Sequence, residues 1–257
     1  MMAAAATAAA TAAAMTAGAA HATMRDLPIL PFEAIFGPAP ILVLAPHPDD
    51  ESLGCGGAIA EACARRHPIH VAILTDGAGS HPNSQIWSAS RLIDRRRSET
   101  RSATALLGLP AGQLHFLDEP DTRAPHDGPA FDTALDRLCG ILAAARIGTV
   151  CTTWAGDPHT DHVAAALLGA AACRRLDLVL LSYPVWGWTL GPAAAVPAVA
   201  RGARLDIARH LPRKRQAIAA HVSQHPGLIT DDPGGFHLPR AFLAHFDSPY
   251  ETFLEQA

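Results

Sequence analysis

The chain has 257 residues, of which 49% are hydrophobic and 17% are charged. This composition is typical of a folded protein with one α/β domain or two small ones, and it excludes extensive disorder. The formal net charge of −4 gives no reason to expect nucleic acid or an anionic membrane as a partner.

The N-terminal segment and the cysteines bear on organisation and location. Residues 1–24 are a low-complexity Ala/Thr stretch that lacks the basic residues and the apolar core of a signal peptide. We predict a flexible tail over 1–24 and a single α/β domain over 25–257. Five cysteines without a C-x-x-C pair indicate reduced thiols in a cytoplasmic protein. No stretch is long and apolar enough to predict a membrane span.

Short apolar runs alternate with longer segments of helical spacing. The runs at 41–44, 70–74, 114–117, 149–153 and 178–182 predict strands, with alanine-rich helices between them. Because these strands lack an in/out pattern, we predict a Rossmann-like, mostly parallel sheet with helices on both faces. After Ser182 the Pro-, Gly- and Trp-rich sequence predicts an extended loop or irregular wall. A helix around 212–222 and a poorly defined C-terminal tail follow.

Polar segments follow the first four predicted strands. They read APHPDDE, TDGAGSH, DEPD and WAGDPHTDH. In open parallel sheets, ligands bind beyond the carboxyl ends of the strands, near a topological switch point. The four segments should therefore share one rim of the sheet, and we predict the functional site at that rim.

The residue types on this rim are typical of a metal site. His47 and Asp50 are three residues apart, and His159 and His162 have the same spacing in the fourth segment. Two imidazoles and a carboxylate from two loops suit Zn²⁺ with an open fourth position, although Fe²⁺ or another divalent ion would also fit. Asp49 should point away from Asp50 and could act as a general base. The alternatives are structural histidines and an Asp-Asp turn or helix cap.

Two further groups of residues have less specific patterns. Glu51 is expected to have a structural role, as a cap or salt-bridge partner of the following helix. The segment SYPVWGWTLG supplies Tyr183, Trp186 and Trp188 in a chain with few aromatic residues. Their side chains could stack on sugar rings of a substrate or fill the open end of the sheet.

Several segments resemble a known family. PHPDDESLGCGG and DPHTDHVAA resemble the two signature blocks of the PIG-L/LmbE-like zinc-dependent N-deacetylases, which include the GlcNAc-PI de-N-acetylases. LTDGAGSHPNS, the R-x-x-E of RRSETRSATALLG, LDEPD and KRQAIAAHVSQ are similar to further segments of that family. The resemblance extends over about residues 40–225.

The resemblance implies a role for each matching residue. The zinc ligands that it implies are His47, Asp50 and His162. It also implies that Asp49 is the general base in metal-assisted amide hydrolysis. His159 would be the second catalytic group, which stabilises the oxyanion or protonates the leaving amine, with Asp161 as its orienting residue.

Substrate contacts are assigned more loosely. Arg96, the arginine of R-x-x-E, either contacts the substrate or pairs structurally with Glu99 or a neighbouring acid. Asp121 matches a family position near the substrate pocket, and Trp186 is the expected stacking residue. Mycothiol-type members have an aromatic residue just before the second histidine block, where this chain has Asp157-Pro158. A mycothiol-type substrate is therefore not expected.

We accordingly predict a metal-dependent hydrolase that removes the acetyl group from an N-acetylated amino sugar, such as N-acetylglucosamine, in a small glycoconjugate. The alternatives are an amidase acting on another N-acyl conjugate and a catalytically inactive metal- or sugar-binding module. A dinucleotide-binding domain is disfavoured, because the glycines of 54–57 do not form G-x-G-x-x-G and follow carboxylates that would repel a pyrophosphate. The sequence does not indicate an oligomeric state.

Overall fold

The computed structural model describes residues 14–255, which form nine β-strands and eight α-helices. The strands are β1 (Ala14–Thr16), β2 (Ile41–Ala45), β3 (Ile69–Thr75), β4 (Leu114–Glu119), β5 (Thr149–Thr153), β6 (Val179–Tyr183), β7 (Ala195–Pro197), β8 (Gly202–Asp206) and β9 (Tyr250–Glu255). The helices are α1 (Ala17–Asp26), α2 (Phe32–Phe36), α3 (Asp50–Arg65), α4 (Ala89–Leu107), α5 (Gly128–Ala144), α6 (Thr160–Leu176), α7 (Leu211–Ala220) and α8 (Arg240–Leu243).

Seven strands form one sheet in the order β4-β3-β2-β5-β6-β9-β8. Strands β2 to β6 are mutually parallel, whereas β9 runs antiparallel between β6 and β8. The chain winds from β2 outward to β3 and β4, and then returns to β5 on the other side of β2. The gap between the carboxyl ends of β2 and β5 is therefore the topological switch point. The mostly parallel sheet and all five predicted strands are confirmed.

Helices cover both faces of the sheet, as predicted. In β2, Ile41 and Val43 pack into a core that includes residues of α3, α4 and α7. Leu42 and Leu44 point the other way, into a core shared with α5 and α6. Every residue of β2 is buried, which explains why its sequence lacks the alternation of a half-exposed strand.

Helix α3 carries the first signature block and packs unusually closely on its neighbours. A Cβ atom on Gly54 would lie 2.2 Å from the ring of Tyr183, and one on Gly57 would lie 2.5 Å from Ile207. Separations below 3 Å would force these neighbours to move. The glycines of the block therefore bring α3 against the sheet and the segment after β8.

A buried ion pair connects α3, α7 and β9. Lys214 Nζ lies 2.7 Å from Oε1 of Glu251, and both side chains are almost fully buried. The Glu251 carboxylate also accepts the backbone N–H groups of Gly57 and Ala58, at 2.7 and 2.8 Å. Glu251 thus holds three donors from two helices.

We expect Glu251→Ala to lower the free energy of unfolding by about 3–5 kcal/mol, because it leaves the Lys214 ammonium buried without its counter-charge. Glu255→Ala is the matched control on the same strand, since Glu255 forms an exposed pair with Arg201. That change should cost less than about 1 kcal/mol. Urea denaturation of both variants measures the difference, and equal losses would contradict the prediction.

The prediction of a flexible tail over 1–24 is wrong for residues 14–24, and residues 1–13 lie outside the described residues. Strand β1 pairs with β7, and Thr16 caps α1 by accepting the N–H of Ala19. The buried face of α1 packs against Trp154 and Leu254. Small alanines form this contact by close packing, which a low-complexity sequence does not reveal.

The region after Ser182 is more regular than predicted. The helix at Leu211–Ala220 is confirmed, but β8 and β9 extend the sheet where a loop and a poorly defined tail were expected. Phe253 and Leu254 are buried in β9 between its two neighbours. No helix in the described part of the chain combines the length and the apolarity needed to cross a bilayer.

Candidate metal centre and active site

The site lies at the switch point between β2 and β5. The β2–α3 loop carries His47 and Asp49, and Asp50 is the first residue of α3. The β5–α6 loop carries His159, and His162 lies in the first turn of α6. Because β2 and β5 are neighbouring parallel strands, the two loops meet at the same edge of the sheet.

One carboxylate oxygen contacts two imidazoles at this point. Asp50 Oδ2 lies 3.1 Å from Nδ1 of His47 and 3.2 Å from Nε2 of His162. The backbone N–H of His47 donates to the same oxygen at 3.0 Å and fixes its position. The Nε2 atom of His162 is buried and makes no hydrogen bond to any residue of the described chain.

These contacts fit a divalent cation. Tetrahedral zinc, with bonds of about 2.0–2.2 Å to nitrogen and oxygen, separates its ligand atoms by about 3.3 Å. The two distances from Asp50 Oδ2 are close to that separation. The buried Nε2 of His162 without a hydrogen bond is the atom that a cation would satisfy. His47, Asp50 and His162 could therefore hold a metal ion.

Carboxylates orient both imidazoles. His47 Nε2 lies 3.0 Å from Asp161 Oδ2 and 3.3 Å from Asp121 Oδ1, and His162 Nδ1 lies 2.9 Å from Asp157 Oδ2. When each of these ring nitrogens donates to its carboxylate, Nδ1 of His47 and Nε2 of His162 are left as the metal-facing atoms.

Among the described residues, two groups of donor atoms lie within 4.8 Å of one another: those of His47, His159 and His162, and those of His47, Asp121 and Asp161. The first group contains the two imidazoles that contact Asp50. The two carboxylates of the second group are better explained as hydrogen-bond acceptors that orient the ring of His47. Asp161 is already held by the N–H groups of Thr122 and Ala124, at 2.7 and 3.1 Å.

The surroundings of the site shift several pKa values. Burial opposes ionisation of Asp50, but His162 and His47 hold its pKa well below the usual range. Burial would lower the pKa of His162, yet Asp50 and Asp157 raise it to about 9. In the absence of a cation a proton therefore occupies the imidazole, and metal binding would release that proton.

Asp49 has a different environment from Asp50. Its carboxylate lies 3.4 Å from the Arg96 guanidinium, and within the described chain it makes no hydrogen bond to an imidazole. Arg96 is itself fixed by the carbonyl oxygens of Gly77 and Pro48, each at 2.9 Å. Burial raises the pKa of Asp49 to about 7 against the opposing effect of Arg96. Asp49 therefore faces the pocket beside the metal ligands.

The backbone at Asp49 is strained and is held by Glu51. Asp49 has φ 152°, a region that residues other than glycine rarely adopt, and such strain is common at functional sites. Its N–H donates to Glu51 Oε2 at 3.0 Å, while Ser52 and His221 bind the other Glu51 oxygen at 2.7 and 3.0 Å. The expected structural role of Glu51 is confirmed, although it supports the loop rather than capping the helix.

The hydrogen-bond partner of the His159 ring differs from the predicted one. The prediction that the Asp161 carboxylate orients His159 is wrong, because that carboxylate contacts His47 instead. The backbone N–H of Asp161 donates to Nδ1 of His159 at 3.2 Å, so a neutral His159 carries its proton on Nε2. Burial, together with His47 and His162, lowers the pKa of His159 to about 4.

A cavity of about 360 Å³ opens beside these residues. Its polar side includes Ser80, Arg96, Asp121, His159 and Gln224. Its apolar lining residues, called the apolar wall below, are Leu53, Pro158, Trp186, Phe236, Leu238 and Phe242. The Trp186 ring stacks on Phe242 with centroids 4.3 Å apart. The lining of the cavity thus combines polar and aromatic side chains.

The three predicted substrate residues all line this cavity. Arg96 is 3% exposed and binds backbone carbonyls and Asp49, so it supports the loop whether or not it also touches substrate. Asp121 accepts the N–H of Gly79 at 2.7 Å and contacts His47. The alternative of a structural pairing is confirmed for neighbouring acids, because Arg96 pairs with Asp49 at 3.4 Å and with Asp121 at 3.7 Å. It is wrong for Glu99, whose partner is Arg95.

The other two aromatic residues of SYPVWGWTLG have different environments. Trp188 lines a separate cavity and stacks on His245. Tyr183 is fully buried, and its hydroxyl donates to the carbonyl of Leu44 at 3.0 Å. Tyr183 therefore fills the end of the sheet, whereas Trp186 lines the cavity, where its stacking on a sugar ring stays a prediction.

The family model for GlcNAc-PI de-N-acetylases, PIG-L, matches residues 42–173, which is 132 of 257 residues and just over half of the chain. The matched range includes both loops of the site. The chain belongs to the PIG-L family.

Curated relatives of this PIG-L protein include two deacetylases. YaiS of Escherichia coli (strain K12), an uncharacterized deacetylase, is 32% identical over 142 residues, covering 54% of this chain and 71% of YaiS. A 1D-myo-inositol 2-acetamido-2-deoxy-alpha-D-glucopyranoside deacetylase of Mycobacterium sp. (strain KMS) is 29% identical over 213 residues, covering 75% of this chain and 65% of that protein. The chain thus spans about two thirds of the length of these relatives.

Solved structures share the fold. The A40926 pseudoaglycone deacetylase Dbv21 superposes with a TM-score of 0.66 at 21% identity, over 85% of this chain and 97% of Dbv21. GalB, a 4-carboxy-2-hydroxymuconate hydratase of Pseudomonas putida KT2440, superposes with a TM-score of 0.57 at 22% identity, over 72% and 80%. Because one fold serves a deacetylase and a hydratase, the chemistry of the PIG-L protein must be argued from its site.

Several site residues of this PIG-L protein were missed from the sequence. Asp157 was noted only as a departure from mycothiol-type members. In the structure it binds His162 and accepts the N–H groups of Val185, Trp186 and Gly187, at 3.0, 3.1 and 2.6 Å. Its position before the histidine block was the available signal. Phe236 and Phe242 gave no signal, because they follow the segments that resemble the family.

We expect Asp157→Ala to weaken metal binding by about 10–100-fold, because His162 loses the acceptor that orients its ring. Asp136→Ala, which removes an exposed partner of Arg175 on the neighbouring helix, is the control and should leave affinity unchanged. Competition with a chelator of known affinity measures both. Unchanged binding in the Asp157 variant would remove the case for this orienting contact.

Proposed function

We propose that the protein is a metal-dependent N-deacetylase that removes the acetyl group from an N-acetylated amino sugar in a small glycoconjugate. The observation that supports this proposal most strongly is that one oxygen of Asp50 contacts both His47 and His162. The adjacent Asp49 faces the cavity and pairs with Arg96 instead of an imidazole. The names of the relatives support a deacetylase, and that of the mycobacterial relative specifies a 2-acetamido-2-deoxy-glucopyranoside.

We propose Zn²⁺ as the resident ion, held by His47, Asp50 and His162. Two imidazoles with one carboxylate suit zinc, and Fe²⁺ or another divalent ion would also accept this set. When bound, the cation would polarise the acyl carbonyl and lower the pKa of a water to about 7.

The remaining steps are assigned to side chains of the cavity. Asp49 takes the proton of the attacking water and delivers it to the amide nitrogen as the C–N bond breaks, so that acetate and the free amine leave. Arg96 holds the Asp49 carboxylate in place. His159 donates its Nε2 hydrogen to the oxyanion, because its Nδ1 is occupied by the N–H of Asp161. This donor is a neutral imidazole, because burial together with His47 and His162 lowers the pKa of His159 to about 4. Asp161 contributes indirectly, because its carboxylate orients the ring of His47.

The cavity suits an amphipathic substrate. A sugar ring could stack on Trp186 of the apolar wall while its hydroxyl groups face the polar side. An amidase acting on another N-acyl conjugate would use the same machinery, and an inactive module would bind the metal or a sugar without hydrolysis. The cysteine usage supports a cytoplasmic location.

Metal analysis of the purified protein combined with an acetate-release screen tests the proposal. The screen includes N-acetylglucosamine, its glycosides and N-acyl conjugates without a sugar. We expect about one metal ion per chain and acetate release from the sugar derivatives. Release only from the other conjugates would favour the amidase, and stoichiometric metal without any release would favour the binding module.

A further inference from the structure

Gln224 supplies the cavity with a hydrogen-bond acceptor that has no partner in the described chain. It ends the 3₁₀ turn Val222–Gln224, is 0% exposed to solvent and lines the cavity on its polar side. Its Oε1 atom is buried, and no described residue donates to it. Buried polar atoms are almost always hydrogen-bonded, so one that lines a cavity indicates a missing ligand.

Neighbouring residues fix which end of the amide is left without a partner. Gln224 Nε2 lies 2.9 Å from Ser223 Oγ, and Ser223 Oγ lies 2.6 Å from Glu99 Oε2. A carboxylate can only accept, so the hydroxyl hydrogen of Ser223 points to Glu99 and its oxygen must accept from Gln224. Nε2 is therefore the atom that donates to Ser223, and Oε1 is the amide atom left without a hydrogen-bond partner in the described chain. Glu99 is held in turn by Arg95 at 2.6 Å.

The polar side of the cavity is rich in acceptors. Gln224 Oε1, Asp121 and Asp49 all offer acceptors, while Arg96 donates to two backbone carbonyls and keeps one buried Nε–H without a partner in the described chain. The carboxylates of Asp49 and Asp121 would repel a phosphate or carboxylate placed beside them. Neutral hydroxyl groups, which donate, match this side.

We propose that Gln224 Oε1 accepts a hydrogen bond from a hydroxyl group of the substrate and thereby selects a neutral, hydroxyl-bearing sugar. This inference rests on the proposed deacetylase function. It gives a role to two segments of family resemblance, because Glu99 belongs to R-x-x-E and Ser223-Gln224 end KRQAIAAHVSQ.

Kinetics with methyl N-acetylglucosaminide and its 3-, 4- and 6-deoxy analogues test the proposal. The wild type should lose about 10–100-fold in kcat/KM on one analogue, because that substrate leaves Oε1 unpaired. Gln224→Met should lose a similar factor on the parent and then process that analogue as well as the parent. Thr152→Val is the control, since it removes a buried hydroxyl on β5 that also lacks a partner in the described chain but lies outside the cavity. It should retain the wild-type discrimination.

Two further measurements keep the outcomes separate. Ser223→Ala removes the acceptor that fixes the Gln224 amide, so it should also weaken discrimination between the parent glycoside and the deoxy analogue. It replaces Gln224→Met in the test if that variant does not fold. Calorimetric titration of the parent glycoside should show about tenfold weaker binding to Gln224→Met than to the wild type. Equal penalties for each deoxy analogue in wild type and variant, with equal binding, would overturn the role of Gln224. Tight, Gln224-dependent binding without acetate release would instead contradict the proposed function and leave this inference standing.

Discussion

Asp49→Asn is expected to lower kcat by about 10²–10⁴-fold and to leave the metal content unchanged. Asparagine has nearly the same size and shape as aspartate, so the loop that holds residue 49 at φ 152° should keep its conformation. The substitution removes the ability to accept a proton from the attacking water. Turnover at saturating substrate and metal analysis of the same sample measure the two effects.

Asp50→Asn is the matched control, because the two aspartates are adjacent and both are buried. Asp50 contacts His47 and His162, so this variant should lose the metal as well as the activity. Metal loss in Asp49→Asn with retention in Asp50→Asn would mean that the two roles are reversed. Full activity in Asp49→Asn would eliminate it as the general base.

The sequence predicted the central sheet and the location of the site. Helices cover both faces of strand β2, and every residue of the strand is accordingly apolar. The end of this apolar run therefore predicted where the strand ends. His47 and Asp50 follow that end directly, and His162 follows β5, the neighbour of β2 across the switch point. Chain order and strand–helix alternation were therefore sufficient to bring these residues together.

Contacts between loops could not be predicted in the same way. The family resemblance implied that the Asp161 carboxylate orients His159. In the structure the N–H groups of Thr122 and Ala124, from the segment after β4, bind the Asp161 carboxylate and turn it toward His47. The orientation of the Asp161 carboxylate is set by these three hydrogen-bond donors, which come from other parts of the chain. The local spacing of residues 159 and 161 does not encode the positions of those donors.

The edges of the molecule were missed for a related reason. Helix α1 is alanine-rich and gains its stability from packing on Trp154 and Leu254, which are distant in sequence. Phe236 and Phe242 reach the apolar wall from the region after 225, where neither periodicity nor resemblance gave a signal. Their role depends on the path of the chain between α7 and β9.

His162→Ala is expected to weaken metal binding by more than about 100-fold, beyond the 10–100-fold expected for loss of an orienting contact. His162 would supply the metal ligand that is 0% exposed and whose Nε2 makes no hydrogen bond to the described residues. Asp136→Ala, Asp157→Ala and His162→Ala should therefore form a graded series of no loss, partial loss and near-complete loss. Activity with each sugar substrate should decline in the same order.

Thermal unfolding gives a readout of the same series that does not depend on catalysis. Free metal at 100 times its Kd stabilises a folded protein by about 2.7 kcal/mol, so added zinc should raise the Tm of the wild type but not that of His162→Ala. If the His162 variant kept its zinc-dependent shift and Asp121→Ala lost it, the cation would bind instead among His47, Asp121 and Asp161. The carboxylates that we assign to orienting His47 would then be ligands, and Asp50 would no longer join the two loops through a metal.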